Sequence, residues 1–133
     1  MQALYPHPDR LCLEVVDRET LRARLERGAV MFRRIVPGRR DQPLLDVSCP
    51  PYRFELIDGL DWRIDPSRPA GDGRVDHLRH AGRGLGPQDR FVLASASHRA
   101  GSDETPQRCL RARRIAVEGP LMREALRAHL AQG

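Results

Sequence analysis

Apolar and polar positions alternate in patches along the chain, and each patch predicts an element. Leu11 to Val16 (LCLEVV) is short, apolar and β-branched at its end, so it reads as a strand. Asp17 or Thr20 then offers a helix cap, with charge in the first turn at Asp17, Arg18 and Glu19. Leu21, Leu25, Ala29, Phe32 and Ile35 follow at spacings of three and four. They predict one buried stripe on a helix running to about Arg34, ended by Pro37-Gly38.

The middle of the chain changes period. Tyr52, Phe54 and Leu56 alternate with Arg53 and Glu55, which predicts a strand with one buried face. Asp58-Gly59 signals a turn, and Trp62 and Ile64 resume the alternation, so 52–64 reads as a hairpin. Further strands are expected at Val75–His80 and Phe91–Ala96, separated by the turn GRGLGPQD, with a short one at Ile115–Val117. Leu121, Met122, Ala125, Leu126, His129 and Leu130 predict a closing amphipathic helix, started by Gly119-Pro120. The order is strand, helix, several strands, helix. Hairpin-like links point to an α+β fold: a single domain whose mixed or antiparallel sheet is packed by two main amphipathic helices.

Composition narrows this little. A chain of 133 residues has room for one core. With 40% hydrophobic and 31% charged residues it predicts a soluble globular domain rather than a disordered one. No apolar run approaches the ~20 residues of a membrane span, and MQALYPHPDR lacks the basic and apolar regions of a secretory signal. All 23 basic residues are arginine, giving a net charge of +5. That raises nonspecific nucleic-acid binding as one reading. The arginines are dispersed, however, and the absence of lysine suits a GC-rich coding bias.

Candidate chemistry is sparse. Cys12, Cys49 and Cys109 are dispersed and odd in number, without metal-ligand spacing. His77 and His80 form HxxH, but on a strand positions three apart face opposite ways, which argues against a shared metal. Gly82, Gly84 and Gly86 form GxGxG with no helix after it, so a turn is expected rather than a phosphate cradle. Asp58, Asp61 and Asp65 surround a turn and read as solvated or turn-forming acids before acid–base catalysts. No nucleophile stands at a recognisable spacing from a base, so no catalytic residue is expected.

An ordered series of residues nevertheless resembles one family. YRFELIDGLDWRIDPSRPAG carries Gly59, Leu60, Trp62, Ile64, Asp65, Ser67 and Pro69. The following stretch carries Arg74, Val75, Leu78, Gly82, Leu85, Pro87, Phe91, Leu93, Ala94 and Ser95. Together with LYPHPDRL near the start, this series resembles the C-terminal domain of the bacterial 5'-nucleotidase family. Within it, the bifunctional 2',3'-cyclic-nucleotide 2'-phosphodiesterase/3'-nucleotidases are the nearer likeness. The resemblance covers nearly the whole chain.

It implies a substrate-binding domain that serves a separate metallophosphatase domain holding two divalent metals. No cofactor is expected in residues 1–133, and no activity from them alone. The implied ligand is a nucleotide or nucleoside whose base is stacked between two rings. The first ring is Tyr52 or Phe54, which the alternation puts on one strand face. The second is His98, where the family has Tyr or Phe. Ser97, Arg99, Gly101 and Asp103 would form the pocket loop. The family's Asn beside that ring is lost, and Asp9 replaces another. These departures leave open a degenerate fragment, or a binding module that partners a separately encoded catalytic half. No membrane partner and no specific nucleic acid are expected. The resemblance implies a periplasmic location, and a stand-alone product without a signal implies a cytoplasmic one.

Overall fold

A computed structural model describes residues 9–96, 113–115 and 120–132. The α+β class is observed, and all strand pairs are antiparallel. The strands fall into two three-stranded sheets rather than one. The sheets belong to two compact units, and residues 18–89 form a unit inserted in sequence within the other.

The outer unit contains β1 (Leu11–Asp17), β5 (Arg90–Ala96), β6 (Arg113–Ile115) and helix α2 (Met122–Leu130). Its sheet has the order β5-β1-β6. The apolar run of β1 pairs along its whole length with β5, from Leu11 opposite Ala96 to Asp17 opposite Arg90. Of the last strand, Arg113–Ile115 is described and Ile115 pairs with Leu13, while residues 116 and 117 of the expected strand lie outside the described residues. At α2, the Leu121 N–H donates to Glu124 Oε2 (3.1 Å), one arm of a capping box. Pro120 stands before this cap rather than in the first turn. The Met122 N–H donates to the Asp9 carbonyl (2.8 Å), tying the helix start to the chain before β1. The predicted apolar stripe is only partly covered. Leu121, Met122 and Ala125 are half-buried, whereas Leu126, His129 and Leu130 are exposed.

The inner unit begins with α1 (Arg18–Gly28), followed by a 3-10 turn at Ala29–Met31. Leu21, Leu25 and Ala29 are buried, as their spacing predicts. The helix stops six residues short of Arg34, because tertiary contacts claim the backbone beyond Gly28. Phe32 forms a bridge with Leu45, and the Ala29 and Phe32 carbonyls accept hydrogen bonds from Arg74 Nη1 at 3.1 and 2.6 Å. Arg74 Nε donates to the Arg68 carbonyl (2.7 Å). The guanidinium is thus a buried clamp holding three carbonyls, and Arg74 is 2% exposed; the Ala29 carbonyl also accepts the Phe32 N–H (3.2 Å).

The hairpin is not the one the alternation predicts. Residues 51–53 form a 3-10 turn and 54–57 have no regular structure. Leu60–Ile64 is β2, and it pairs with β3 (Val75–His80), which pairs with β4 (Arg83–Gly84). The Pro50-Pro51 pair explains the failed strand, since proline at 51 favours the turn start and supplies no ladder N–H.

β3 carries a bulge. Asp61 faces Arg79 and Arg63 faces Asp76, so Trp62 opposes both His77 and Leu78. His77 takes the left-handed conformation this requires, at φ 58°. The bulge shifts the strand's phase, so Val75 and Leu78, three apart, are both buried. The strict alternation applied to His77 and His80 therefore does not hold here. His80 Nδ1 instead hydrogen-bonds the Gly59 carbonyl at 2.7 Å. Ala81 (φ 49°) and Gly82 (φ 76°) then form a two-residue turn of the primed type between His80 and Arg83. Among the described residues, no helix is long and apolar enough to cross a membrane.

Candidate functional site

The segment from Tyr52 to Trp62 carries two exposed large side chains, Tyr52 and Leu56. Its course is set by the end of α1. Gly28 lacks a side chain where the chain returns: a Cβ there would lie 3.2 Å from the Glu55 nitrogen and 3.5 Å from the Arg53 carbonyl oxygen. Arg27 Nη2 donates to Glu55 Oε1 at 3.2 Å. Phe54 packs edge-on against Phe32, with ring centroids 5.8 Å apart and planes at 83°. Three consecutive residues thus dock on the helix end, and Phe54 is held by packing.

This arrangement separates the two candidate rings. Tyr52 sits inside the 3-10 turn and is 70% exposed, while Phe54 is half-buried against Phe32. They do not share a strand face, because no strand forms there. Ser97, His98, Arg99, Gly101 and Asp103 lie outside the described residues.

Beyond Phe54 the chain opens an unforeseen cavity of about 620 Å³. Leu56, Ile57, Asp58, Gly59, Leu60, Asp61, Trp62 and Ala81 line it. A β-turn builds its rim: the Leu60 N–H donates to the Ile57 carbonyl (3.4 Å), with Gly59 at φ 78°. Ala81 comes from the turn after β3, which β2–β3 pairing brings alongside. Leu56 is 79% exposed. No hydrogen bond or ion pair holds the Asp58 or Asp61 carboxylate among the described residues, and no lining residue is basic. The sequence signal was present in Trp62 and the Asp-Gly turn, but the alternation pointed to a closed hairpin there. Leu56 stands four positions after Tyr52, so their Cα atoms are at most about 14 Å apart.

Several residues of the family-like series prove to be structural. Asp65 Oδ1 accepts from the Ser67 hydroxyl (2.6 Å) and backbone N–H (2.9 Å), closing a turn. Those hydrogen bonds, the side-chain one first, hold the Asp65 carboxyl below its ordinary pKa, aided by Arg68 and Arg74. Asp46 is lowered in the same way by Ser48, with help from Arg33. Arg74 is the carbonyl clamp, while Val75, Leu78 and Leu85 are core. Some of the arginines are used within the fold. Arg27 pairs with Glu55, Arg33 with Asp46, Arg68 with Asp65 and Arg83 with Asp89. Among the described residues, no group of three or more His, Cys, Asp or Glu side chains could hold a metal ion.

Comparison with known proteins gives a consistent result. No family model matches the chain. It is 31% identical over 116 residues to a 2',3'-cyclic-nucleotide 2'-phosphodiesterase/3'-nucleotidase of Haemophilus influenzae, matching 77% of this chain and 18% of that protein. A protein of the same description from Yersinia enterocolitica is 30% identical over 112 residues, 74% of this chain and 17% of its own. The trifunctional nucleotide phosphoesterase protein YfkN of Bacillus subtilis is 28% identical over 88 residues, 57% of this chain. A 5'-nucleotidase structure from Staphylococcus aureus, in complex with alpha-ketoglutarate, superposes with a TM-score of 0.74 at 19% identity. It covers 97% of this chain and 25% of that one. The chain therefore spans about a sixth of the curated 2',3'-cyclic-nucleotide relatives it matches.

Proposed function

We propose that this chain, a homologue of one part of the bacterial 2',3'-cyclic-nucleotide phosphodiesterase and 5'-nucleotidase enzymes, binds the nucleobase of their substrates. Hydrolysis of the phosphate ester then belongs to a metallophosphatase part, carried in the same polypeptide or a separate one. The observation that carries this reading is Tyr52. Its neighbours on the chain are docked against the end of α1, and its ring is left 70% exposed. An exposed ring fixed by its backbone is suited to stacking, which contributes roughly 1–3 kcal/mol per base and tolerates different bases. A mostly apolar cavity, lined from Leu56 to Trp62, opens a few positions further along the same segment.

The direct test is amide chemical-shift mapping with adenosine at millimolar concentration. Shifts concentrated in residues 51–62 and 81 are expected. No shift in that region would end the reading. Nucleic-acid binding is less well supported, because the arginines are dispersed along the chain.

A further inference from the structure

We infer that this site selects nucleosides over nucleotides, with Asp58 and Asp61 as the residues that decide it. The inference rests on the nucleobase-binding reading and adds the ligand's charge to it. The cavity offers an indole at Trp62 and the apolar walls of Leu56, Ile57 and Leu60. Its only ionisable lining residues are Asp58 and Asp61. A phosphate group needs arginine, lysine or a row of backbone N–H groups. This lining has no basic residue, in a chain that carries 23 of them.

The two carboxylates are also available. Asp46, Asp65, Glu55 and Asp89 each face an arginine, whereas neither cavity acid has a partner among the described residues. Ionised carboxylates only accept hydrogen bonds. They suit the ribose hydroxyls or an exocyclic amine of the base, and they repel a phosphate dianion held within one nucleotide length. The uncharged nucleoside, which is the product of dephosphorylation, is the better ligand.

Trp62 is the sole tryptophan of the chain and lines the cavity, so its fluorescence reports occupancy directly. Adenosine and AMP are titrated separately into the protein at low salt and at 0.5 M salt. Adenosine is expected to bind about threefold or more tightly than AMP at low salt, with the gap narrowing at high salt. The Asp58→Asn/Asp61→Asn double variant changes two exposed side chains and should keep the fold. In it, AMP should approach adenosine. Equal binding of both ligands by the unaltered protein, or tighter binding of AMP, overturns this inference and leaves the nucleobase site standing. A discrimination that survives the double variant unchanged removes Asp58 and Asp61 from it. Failure of both ligands to bind overturns the nucleobase reading itself.

Discussion

Tyr52 and Phe54 differ by two positions and by opposite roles. Truncating Phe54 to Ala removes the edge contact with Phe32 and should cost about 2 kcal/mol of stability by urea denaturation. Tyr52→Ala should cost about 1 kcal/mol or less, yet weaken adenosine binding about tenfold. If the losses fall the other way round, Tyr52 is not the ring. Sequence alone could not separate the pair, because period-two alternation gives both residues the same face. The proline at 51 carried the missing information: it starts a 3-10 turn and removes the alternation. A second residue-scale prediction concerns strain. Ala81 occupies a left-handed position at φ 49°, ahead of Gly82. That conformation suits asparagine better than alanine. Ala81→Asn should raise stability by about 0.5–1 kcal/mol, read as a higher thermal midpoint.

At the scale of elements, the Arg74 clamp decides where α1 ends. Lysine keeps the charge but not the planar fork that reaches the carbonyls of Ala29, Phe32 and Arg68. Arg74→Lys should therefore cost about 2–4 kcal/mol, with amide exchange quickening first in residues 29–35. The two Asp–Ser turns give the fold a defined acid limit. Asp46 and Asp65 are held below the ordinary carboxylate value, chiefly by the Ser48 and Ser67 hydroxyls. A lowered folded pKa contributes stability that is complete above the unfolded value. It is lost as pH falls through the folded one. The window lies below about pH 4. Stability measured from pH 5 to pH 2.5 should fall less steeply in the Ser48→Ala/Ser67→Ala double variant.

These elements were unevenly legible. Leu11–Val16 and Phe91–Ala96 read correctly because each apolar run is short and bounded by turn residues, and Val75–His80 (VDHLRH) is legible from the turn glycines at 71, 73 and 82 on either side. The stripe Leu21, Leu25, Ala29 was correct, but its extension to Arg34 was not: an arginine forty residues downstream takes the carbonyls. The β3 bulge likewise follows from pairing with β2, a long-range fact that strict alternation cannot register.

At the scale of the whole molecule, the chain corresponds to about a sixth of its cyclic-nucleotide relatives. The resemblance that places the metal-binding machinery in their other part predicts no hydrolysis by residues 1–133. Purified protein supplied with Mn²⁺ should leave AMP and 2',3'-cyclic AMP intact, and sustained turnover by clean protein would refute that assignment. The inserted arrangement of the two units also dictates an order of events. Residues 18–89 stand between β1 and its partner β5, whose register joins Asp17 to Arg90. During synthesis β1 leaves the ribosome before β5, and that pairing cannot form until the whole insert has followed. Closing so long a loop is slow, and it becomes easier once the insert has folded. Until then the run Leu11–Val16 is an unprotected apolar strand, the kind of segment through which nascent chains aggregate.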